Sequence, residues 1–375
     1  MAVGTLAGAK MEKCRRYSIP SSSAYITDQG IVVVSATSFF WPDPAIKPRL
    51  MLLPPRSDES VELTEFSSGK NLLLHVSSGC TFLGLDNKLL LSHDLRKWRT
   101  VLTANSSNTF WHMAEAADGT LFVHEYGFGE GSGIYRSADG GETWKQVVEC
   151  HKLDKRALHF HSVAYDGFRG LLIATLGDRN ILKIAVSKDY GDTWKPLYNG
   201  AWQCLPIVIL KERIIFGMDS GISRGFLVWH PSDDLWETIH LKYVKKPETS
   251  DLLQIADLRA LTNGLWIMST GGGSLLCSKD LKEWQIMHLG VRSPDVRIAP
   301  PHLFGHMLSN EINGMVVAAM GNFVMIIDSK DIGISSVGVV QHYAFYSRLK
   351  GLGYTAKRRI LSICDSASAR IKERE

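Results

Sequence analysis

Long apolar runs are missing from this sequence, and their absence argues against a membrane-spanning helix. Such a helix needs about 18 or more consecutive apolar residues, and the nearest candidate, MVVAAMGNFVMII, is shorter and is interrupted by Gly321 and Asn322. At the N-terminus a short apolar stretch precedes the first charges, which reverses the order found in a secretory signal. The chain as written is therefore predicted to be cytoplasmic, with secretion as the alternative if a signal sequence is missing from it.

Paired cysteines and the common catalytic motifs are also missing. No C-x-x-C pair is present that would indicate a zinc ribbon or a redox centre. The glycine-rich segment TGGGS at 270–274 opens no predicted helix, so it is interpreted as a turn and not as a phosphate loop. The sequence contains neither G-x-S-x-G nor H-E-x-x-H. Six isolated thiols remain, and they are Cys14, Cys80, Cys150, Cys204, Cys277 and Cys364.

The net charge of +4 is concentrated at the C-terminus. Residues 348–375 contain eight Lys or Arg and three Asp or Glu, so the rest of the chain is close to neutral. A basic tail can contact an anionic partner, although most such tails are simply solvated. We therefore predict an appended basic tail at 347–375, and we find no clear nucleic-acid-binding motif in the body of the chain.

A short polar turn is repeated along the sequence. SADGGETW at 137–144 returns as SKDYGDTW at 187–194, and shorter or eroded copies share the Ser-x-Asp core. Apolar strands with period-two alternation and Gly/Asn/Asp turns lie between the copies. A period of 36 to 51 residues predicts four-stranded sheets arranged radially around an axis. The seven repeated aspartates are Asp58, Asp94, Asp139, Asp189, Asp234, Asp280 and Asp331.

Each full turn has residues suited to holding its own bend. Asp139 can accept hydrogen bonds from backbone N–H groups further along the turn, and Gly141 permits a positive φ. Trp144 can bury a large aromatic area between neighbouring sheets. These residues are interpreted as structural.

The pattern Ser-x-Asp-x-Gly-x-Thr-Trp resembles the Asp-box (BNR) repeat of the sialidase-like β-propellers. The resemblance implies an all-β propeller of four-stranded blades over residues 17–346, after an N-terminal extension at 1–16. Seven aspartates predict seven blades, with six as the alternative if residues 17–67 only complete a neighbouring sheet. The ring is expected to close by pairing a strand within 17–36 with the last sheet near 335–346.

In this resemblance the Asp-box turns lie on the rim opposite the ligand-binding face. His112, His161 and His306 stand nine or ten residues before the second strand of their repeats, which predicts one level on three inner strands. Three imidazoles at the central channel could bind a divalent metal such as Zn or Mn. The alternatives are acid–base work and ordinary channel lining. Equivalent or adjacent inner-strand positions are occupied by His159, His302, Gln203 and Gln254.

Carboxylates recur at the ends of predicted second strands. They are Glu125, Asp178 and Asp219. Two carboxylates across a cleft are what glycoside hydrolysis requires, and His159 is a further candidate acid or base. Each carboxylate could instead cap a turn. These four residues are the predicted catalytic set.

The resemblance implies a carbohydrate-active enzyme, either a glycoside hydrolase or a polysaccharide lyase, with a glycan in a His/carboxylate pocket of the channel. A true sialidase is not expected, because Ser18 occupies the place of the first arginine in the family's Arg-Ile-Pro motif. A noncatalytic binding or assembly propeller is the alternative, so whether the protein is an enzyme is left open.

Overall fold

Strands dominate the computed structural model of the chain, as the alternating apolar pattern predicts. The structure describes residues 14–19, 21–27, 30–35, 37–38, 47–54, 59–77, 79–105, 107–127, 131–155, 157–177, 183–199, 203–219, 224–244, 253–288, 307–320, 323–333 and 340–343. Apart from strands, these residues contain a helical turn α1 at Cys150–Leu153 and a 3-10 turn at Ser329–Asp331. No helix among them is long and apolar enough to span a bilayer.

The strands of the first half are β1 (Arg15–Tyr17), β2 (Ser23–Thr27), β3 (Gly30–Ser35), β4 (Thr37–Ser38), β5 (Arg49–Leu53), β6 (Val61–Glu65), β7 (Lys70–Ser77), β8 (Cys80–Leu85), β9 (Lys88–Ser92), β10 (Arg99–Thr103), β11 (Asn108–Glu115), β12 (Leu121–Gly127), β13 (Gly133–Ser137), β14 (Lys145–Glu149), β15 (His159–Asp166), β16 (Leu171–Gly177), β17 (Lys183–Ser187) and β18 (Lys195–Asn199). Those of the second half are β19 (Cys204–Ile209), β20 (Ile214–Met218), β21 (Gly225–His230), β22 (Leu235–Tyr243), β23 (Ile255–Ala260), β24 (Trp266–Thr270), β25 (Leu275–Ser278), β26 (Glu283–His288), β27 (Met307–Leu308), β28 (Met315–Ala319), β29 (Val324–Asp328) and β30 (Val340–Tyr343).

These strands form seven four-stranded antiparallel blades in a ring, so the fold is a seven-bladed β-propeller and the predicted blade count is confirmed. From the inner strand outward, blade 1 is β2-β3-β5-β6, blade 2 is β7-β8-β9-β10, blade 3 is β11 to β14 and blade 4 is β15 to β18. Blade 5 is β19 to β22, blade 6 is β23 to β26, and blade 7 is β27-β28-β29-β1. The short strand β4 pairs in parallel with β7.

Blade 7 closes the ring with a strand from the other end of the chain. Arg15 to Tyr17 pair with Val324 to Ile326, so β1 supplies the outer strand of the last blade. The expected closure between 17–36 and 335–346 is therefore wrong. Ser23–Thr27 and Gly30–Ser35 instead form the two inner strands of blade 1, because their apolar side chains are buried between blades.

The strand β30 joins two blades along their outer edges. It pairs with β22 of blade 5 and also with β26 of blade 6, giving one nine-stranded sheet. Val340 is fully buried there and belongs to the same apolar cluster as Trp284, Phe226 and Leu241. This arrangement fills the wedge that opens between neighbouring blades as they diverge from the axis.

The repeated Ser-x-Asp turns connect the third and fourth strands of their blades, and local hydrogen bonds hold them. Asp139 Oδ1 accepts from the Thr143 backbone N–H at 3.0 Å, and the Gly141 N–H donates to Ser137 Oγ at 2.9 Å. Trp144 Nε1 donates to the Gly141 carbonyl at 3.0 Å. Gly141 has φ of +91°, and a Cβ there would overlap the ring of Phe82 in blade 2. The turn is thus a fixed contact between blades.

Candidate functional site

One face of the ring collects the starts of first strands and the ends of second strands. In an antiparallel blade the 3–4 turn lies at the opposite end from the start of the first strand, so this face is opposite the repeated Ser-x-Asp turns. Polar side chains of blades 3 to 6 meet on it. The group, named here the channel cluster, comprises His112, His124, His159, His161, Gln203, Asp219 and Gln254.

Two histidines of β15 form the buried centre of the channel cluster. The nitrogens His159 Nε2 and His161 Nε2 are 3.1 Å apart, and His159 Nδ1 lies 2.7 Å from the Gly127 carbonyl oxygen. A carbonyl oxygen only accepts, so His159 Nδ1 carries a hydrogen. If both rings are neutral, His159 Nε2 accepts the hydrogen of His161 Nε2. The side chains of both residues are almost completely inaccessible to solvent.

Asp219 connects these histidines with blades 5 and 6. Its Oδ2 lies 3.6 Å from His161 Nδ1 and accepts from Gln203 Nε2 at 3.4 Å. Gln254 Nε2 donates to Oδ1 of the same carboxylate. The Asp219 side chain is 15% exposed, against 2% for His161. Asp219 and the two glutamines therefore lie toward the solvent side of the cluster, with the imidazoles behind them.

His112 and His124 form a second, stacked pair between blades 3 and 4. His112 Nδ1 lies 3.3 Å from His124 Nε2 and 3.1 Å from the His161 carbonyl oxygen. His124 Nδ1 contacts the carbonyl of Glu125 at 3.1 Å, which fixes its tautomer. Burial lowers the pKa of His124 to about 3 and holds the pKa of His112 well below its ordinary value. Both rings are neutral at physiological pH. His124 was not predicted as a site residue.

Aromatic rings enclose the histidines on the blade 3 side. The ring of Tyr126 lies 4.2 Å from that of His159, centroid to centroid, and 4.6 Å from that of Trp111. Trp111, Tyr126 and Leu205 form a small buried apolar cluster. This wall excludes water from one side of the imidazoles.

Glu125 occupies a different environment from the channel cluster. Successive side chains of a strand point to opposite faces, so Glu125 and its neighbour His124 diverge. The Tyr135 hydroxyl donates to Glu125 Oε1 at 2.7 Å, and Asn108 Nδ2 donates to Oε2 at 3.1 Å. The carboxylate is buried, which raises the pKa of Glu125. It bonds side chains of strands β11 and β13 within its own blade.

Some of the predicted site residues lie together in the channel cluster, and others lie outside the described residues. His112, His159, His161 and Asp219 are brought together, whereas Asp178, His302 and His306 lie outside the described residues. No three His, Cys, Asp or Glu side chains in the described part of the chain are grouped to hold a metal ion. The ring nitrogens of His161 face His159, Gln203 and Asp219.

Comparisons with known proteins identify the architecture alone. No family model and no curated protein matches the chain. Similar solved structures include YCF48 bound to D1 peptide, with a TM-score of 0.55, 13% identity, and 84% of this chain and 94% of that chain covered. Virginiamycin B lyase from Staphylococcus aureus has a TM-score of 0.59 at 10% identity, covering 84% and 99%. A chain of the mitotic checkpoint complex has a TM-score of 0.57 at 11% identity, covering 88% and 98%. At these identities the likeness establishes the propeller fold.

Proposed function

We propose that the protein is a noncatalytic binding propeller that holds a polar peptide segment of a partner on its channel face. The observation that carries this proposal is the burial of the candidate acid–base groups. His159 and His161 are enclosed and hydrogen-bonded to each other and to backbone, and Glu125 is engaged with Tyr135 on another face. An enzyme instead needs titratable groups that reach one another and the substrate in an open cleft.

The solvent side of the channel cluster has groups suited to peptide recognition. Asp219 and the side-chain oxygens of Gln203 and Gln254 accept hydrogen bonds, while the glutamine amides donate them. A peptide backbone presents the same alternation of N–H donors and carbonyl acceptors. Gln203 and Gln254 support this surface, because each donates a hydrogen bond to the Asp219 carboxylate and so fixes its orientation.

Two of the similar structures agree with a binding role. YCF48 was solved with a D1 peptide, and a propeller chain of similar length belongs to the mitotic checkpoint complex. The support is that of a shared architecture, since the identities are 13% and 11%. The glycan substrate implied by the Asp-box resemblance has no comparable support from these neighbours.

An immobilised library of extended peptides tests the proposal. We expect wild-type protein to bind a subset of peptides and an Asp219→Ala/Gln254→Ala variant to lose that subset. The matched control is Asp233→Asn, which changes an exposed carboxylate on a turn at the Asp-box rim. Equal binding by wild type and by the channel variant, or no peptide binding at all, would contradict a peptide-binding channel face.

A carbohydrate-active enzyme is the second candidate, favoured by the approach of His161 Nδ1 to Asp219 Oδ2 at 3.6 Å. In that role Asp219 would orient the imidazole as a base. Screens of polysaccharides for new reducing ends and for unsaturated lyase products would detect the activity. Elemental analysis of wild type and of His112→Ala/His161→Ala tests the predicted Zn or Mn. Product formation lost in Asp219→Asn would favour the enzyme over the binding propeller.

A further inference from the structure

A second group of polar side chains lies at the end of the central channel that is opposite the channel cluster. Ser77 and Glu115 are the last residues of the inner strands β7 and β11, Arg259 is the penultimate residue of β23, and Asn310 follows β27. The Tyr25 hydroxyl reaches Asn310 from the inner strand β2. These five residues, named here the axial mouth, come from blades 1, 2, 3, 6 and 7.

Solvent reaches the axial mouth, which indicates that the channel is open at this end. Glu115 and Asn310 are exposed, and Tyr25 and Arg259 are partly exposed although they belong to innermost strands. Their neighbours that point between blades, Ala24 and Leu258, are buried. Because innermost strands line the axis of a propeller, the exposed parts of these side chains face the channel.

Arg259 is held in a fixed direction by blades 6 and 7. Its Nη1 donates to Asp257 Oδ1 and to the Leu258 carbonyl, and its Nη2 donates to the Leu308 carbonyl at 2.9 Å. Asp257 Oδ2 accepts from the Leu308 backbone N–H at 2.9 Å, which completes a clamp between the two blades. Arg259 Nε has no acceptor among the described residues. A guanidinium has five hydrogens, so one on Nε and one on Nη2 remain for a further acceptor.

Glu115 supplies the opposite charge from the other side of the ring. The Ser77 hydroxyl donates to Glu115 Oε2 at 2.9 Å, and no cation in the described part of the chain pairs with this carboxylate. Blades 3 and 6 are three positions apart in a ring of seven, so Glu115 and Arg259 stand on opposite sides of the channel. The two charges therefore face each other without forming an ion pair.

The hydroxyl of Tyr25 lies within range of both charges. Burial raises the pKa of Tyr25, and a hydrogen bond with Asn310 lowers it. The charge of Glu115 raises this pKa further, whereas that of Arg259 lowers it. A neutral group that can donate and accept hydrogen bonds thus stands beside both charged side chains.

We propose that the axial mouth binds a small amino-acid zwitterion. The carboxylate of the ligand accepts from the remaining Arg259 hydrogens, its ammonium group donates to Glu115, and the Tyr25 hydroxyl donates to the second carboxylate oxygen. Two opposite charges that face each other across solvent are complementary to a ligand that carries both, because each charge of the ligand is then paired when water is removed. The site is separate from the peptide surface at the other end of the channel.

Isothermal titration calorimetry with L-alanine and with 4-aminobutanoate tests this site. Each zwitterion is matched by its N-acetyl derivative, which lacks the ammonium group, and by its amide, which lacks the carboxylate. We expect at least one zwitterion to bind and both of its matched derivatives to bind at least about tenfold more weakly, because each leaves one charge of the site unpaired. Equal binding of a zwitterion and either derivative, or binding of none of the probes, would overturn the proposal.

Matched variants assign the binding to the axial mouth. Glu115→Gln changes an exposed carboxylate and should weaken the bound zwitterion at least about tenfold, whereas Glu212→Gln removes the same charge from an exposed turn at the same end of blade 5 and should leave the affinity unchanged. Tyr25→Phe removes only the hydroxyl and should also weaken binding. The amide probe tests the role of Arg259 without altering the clamp between blades 6 and 7. Equal affinities of the two glutamine variants for the zwitterion would refute the site.

Discussion

Replacing Trp284 by alanine should destabilise the protein more than the same change at its repeat equivalent Trp194. A fully buried tryptophan removes about 150–250 Å² from water, which at about 25 cal/mol/Å² corresponds to about 4–6 kcal/mol as an upper bound. Measured costs of Trp→Ala in cores are about 3–5 kcal/mol. Trp284 has no exposed surface, because β30 places Val340 opposite it, whereas Trp194 is only partly buried.

We therefore expect Trp284→Ala to lower the free energy of unfolding by about 3–5 kcal/mol and Trp194→Ala by about half as much. Each indole also donates one hydrogen bond to a backbone carbonyl, at 2.9 Å in both cases, so this contribution cancels in the comparison. Guanidinium denaturation followed by circular dichroism measures both values, provided that the slopes agree. Equal costs would mean that β30 does not cover Trp284 in solution.

Three other outcomes follow from described contacts. Hydrogen bonds from threonine partners lower the pKa of Asp139 and Asp189 to about 2. The stability that the two carboxylates contribute is therefore present above the ordinary pKa of 3.8 and is lost as the pH falls toward 2. Over that pH range the free energy of unfolding should fall less in the double Asn variant than in the wild type. Gly177→Ala should disorder the ring of His161, because the new Cβ would overlap it, and nuclear magnetic resonance of the histidine side chains would report the change. Glu125→Ala should cost about 1–3 kcal/mol of unfolding free energy without abolishing peptide binding, since it leaves buried donors unpaired away from the channel cluster.

The repeat made the architecture predictable, because the Ser-x-Asp turns at Asp94, Asp139, Asp189 and Asp280 are held by local hydrogen bonds and each lies in its own blade. Asp58 lies outside the described residues. The role of Asp139 and its equivalents could be predicted without knowing which distant residues they approach. The position of β1 could not be predicted in this way, since closure pairs Arg15 with Ile326 and no local pattern identifies so short a strand. The position of β30 could not be predicted from a local pattern either, because Val340 is buried against residues of blades 5 and 6 that lie far away in the sequence.

The sequence predicted how far along the inner strands the candidate residues lie, but not the face of the strand to which each side chain points. Inner-strand counting placed His112, His159 and His161 on neighbouring inner strands, where they contact one another, and His306 lies outside the described residues. It missed His124, which lies on a second strand opposite a register shift between Phe110 and Met113. The same shift makes period-two counting unreliable there, so the different environments of His124 and Glu125 emerge only from the pairing of strands.

The strand shared by blades 5 and 6 also determines how the amides at the ring's outer wall exchange with deuterium. In a blade that ends at its fourth strand, the outward N–H groups exchange by simple contact with water. Here those of β22 and β26 face β30, so they can exchange only when that strand detaches. The outer edges of these two consecutive blades should therefore lose protection at one common rate, so the rate of deuterium uptake at His240 to Tyr243 should match that at Glu283 and Trp284.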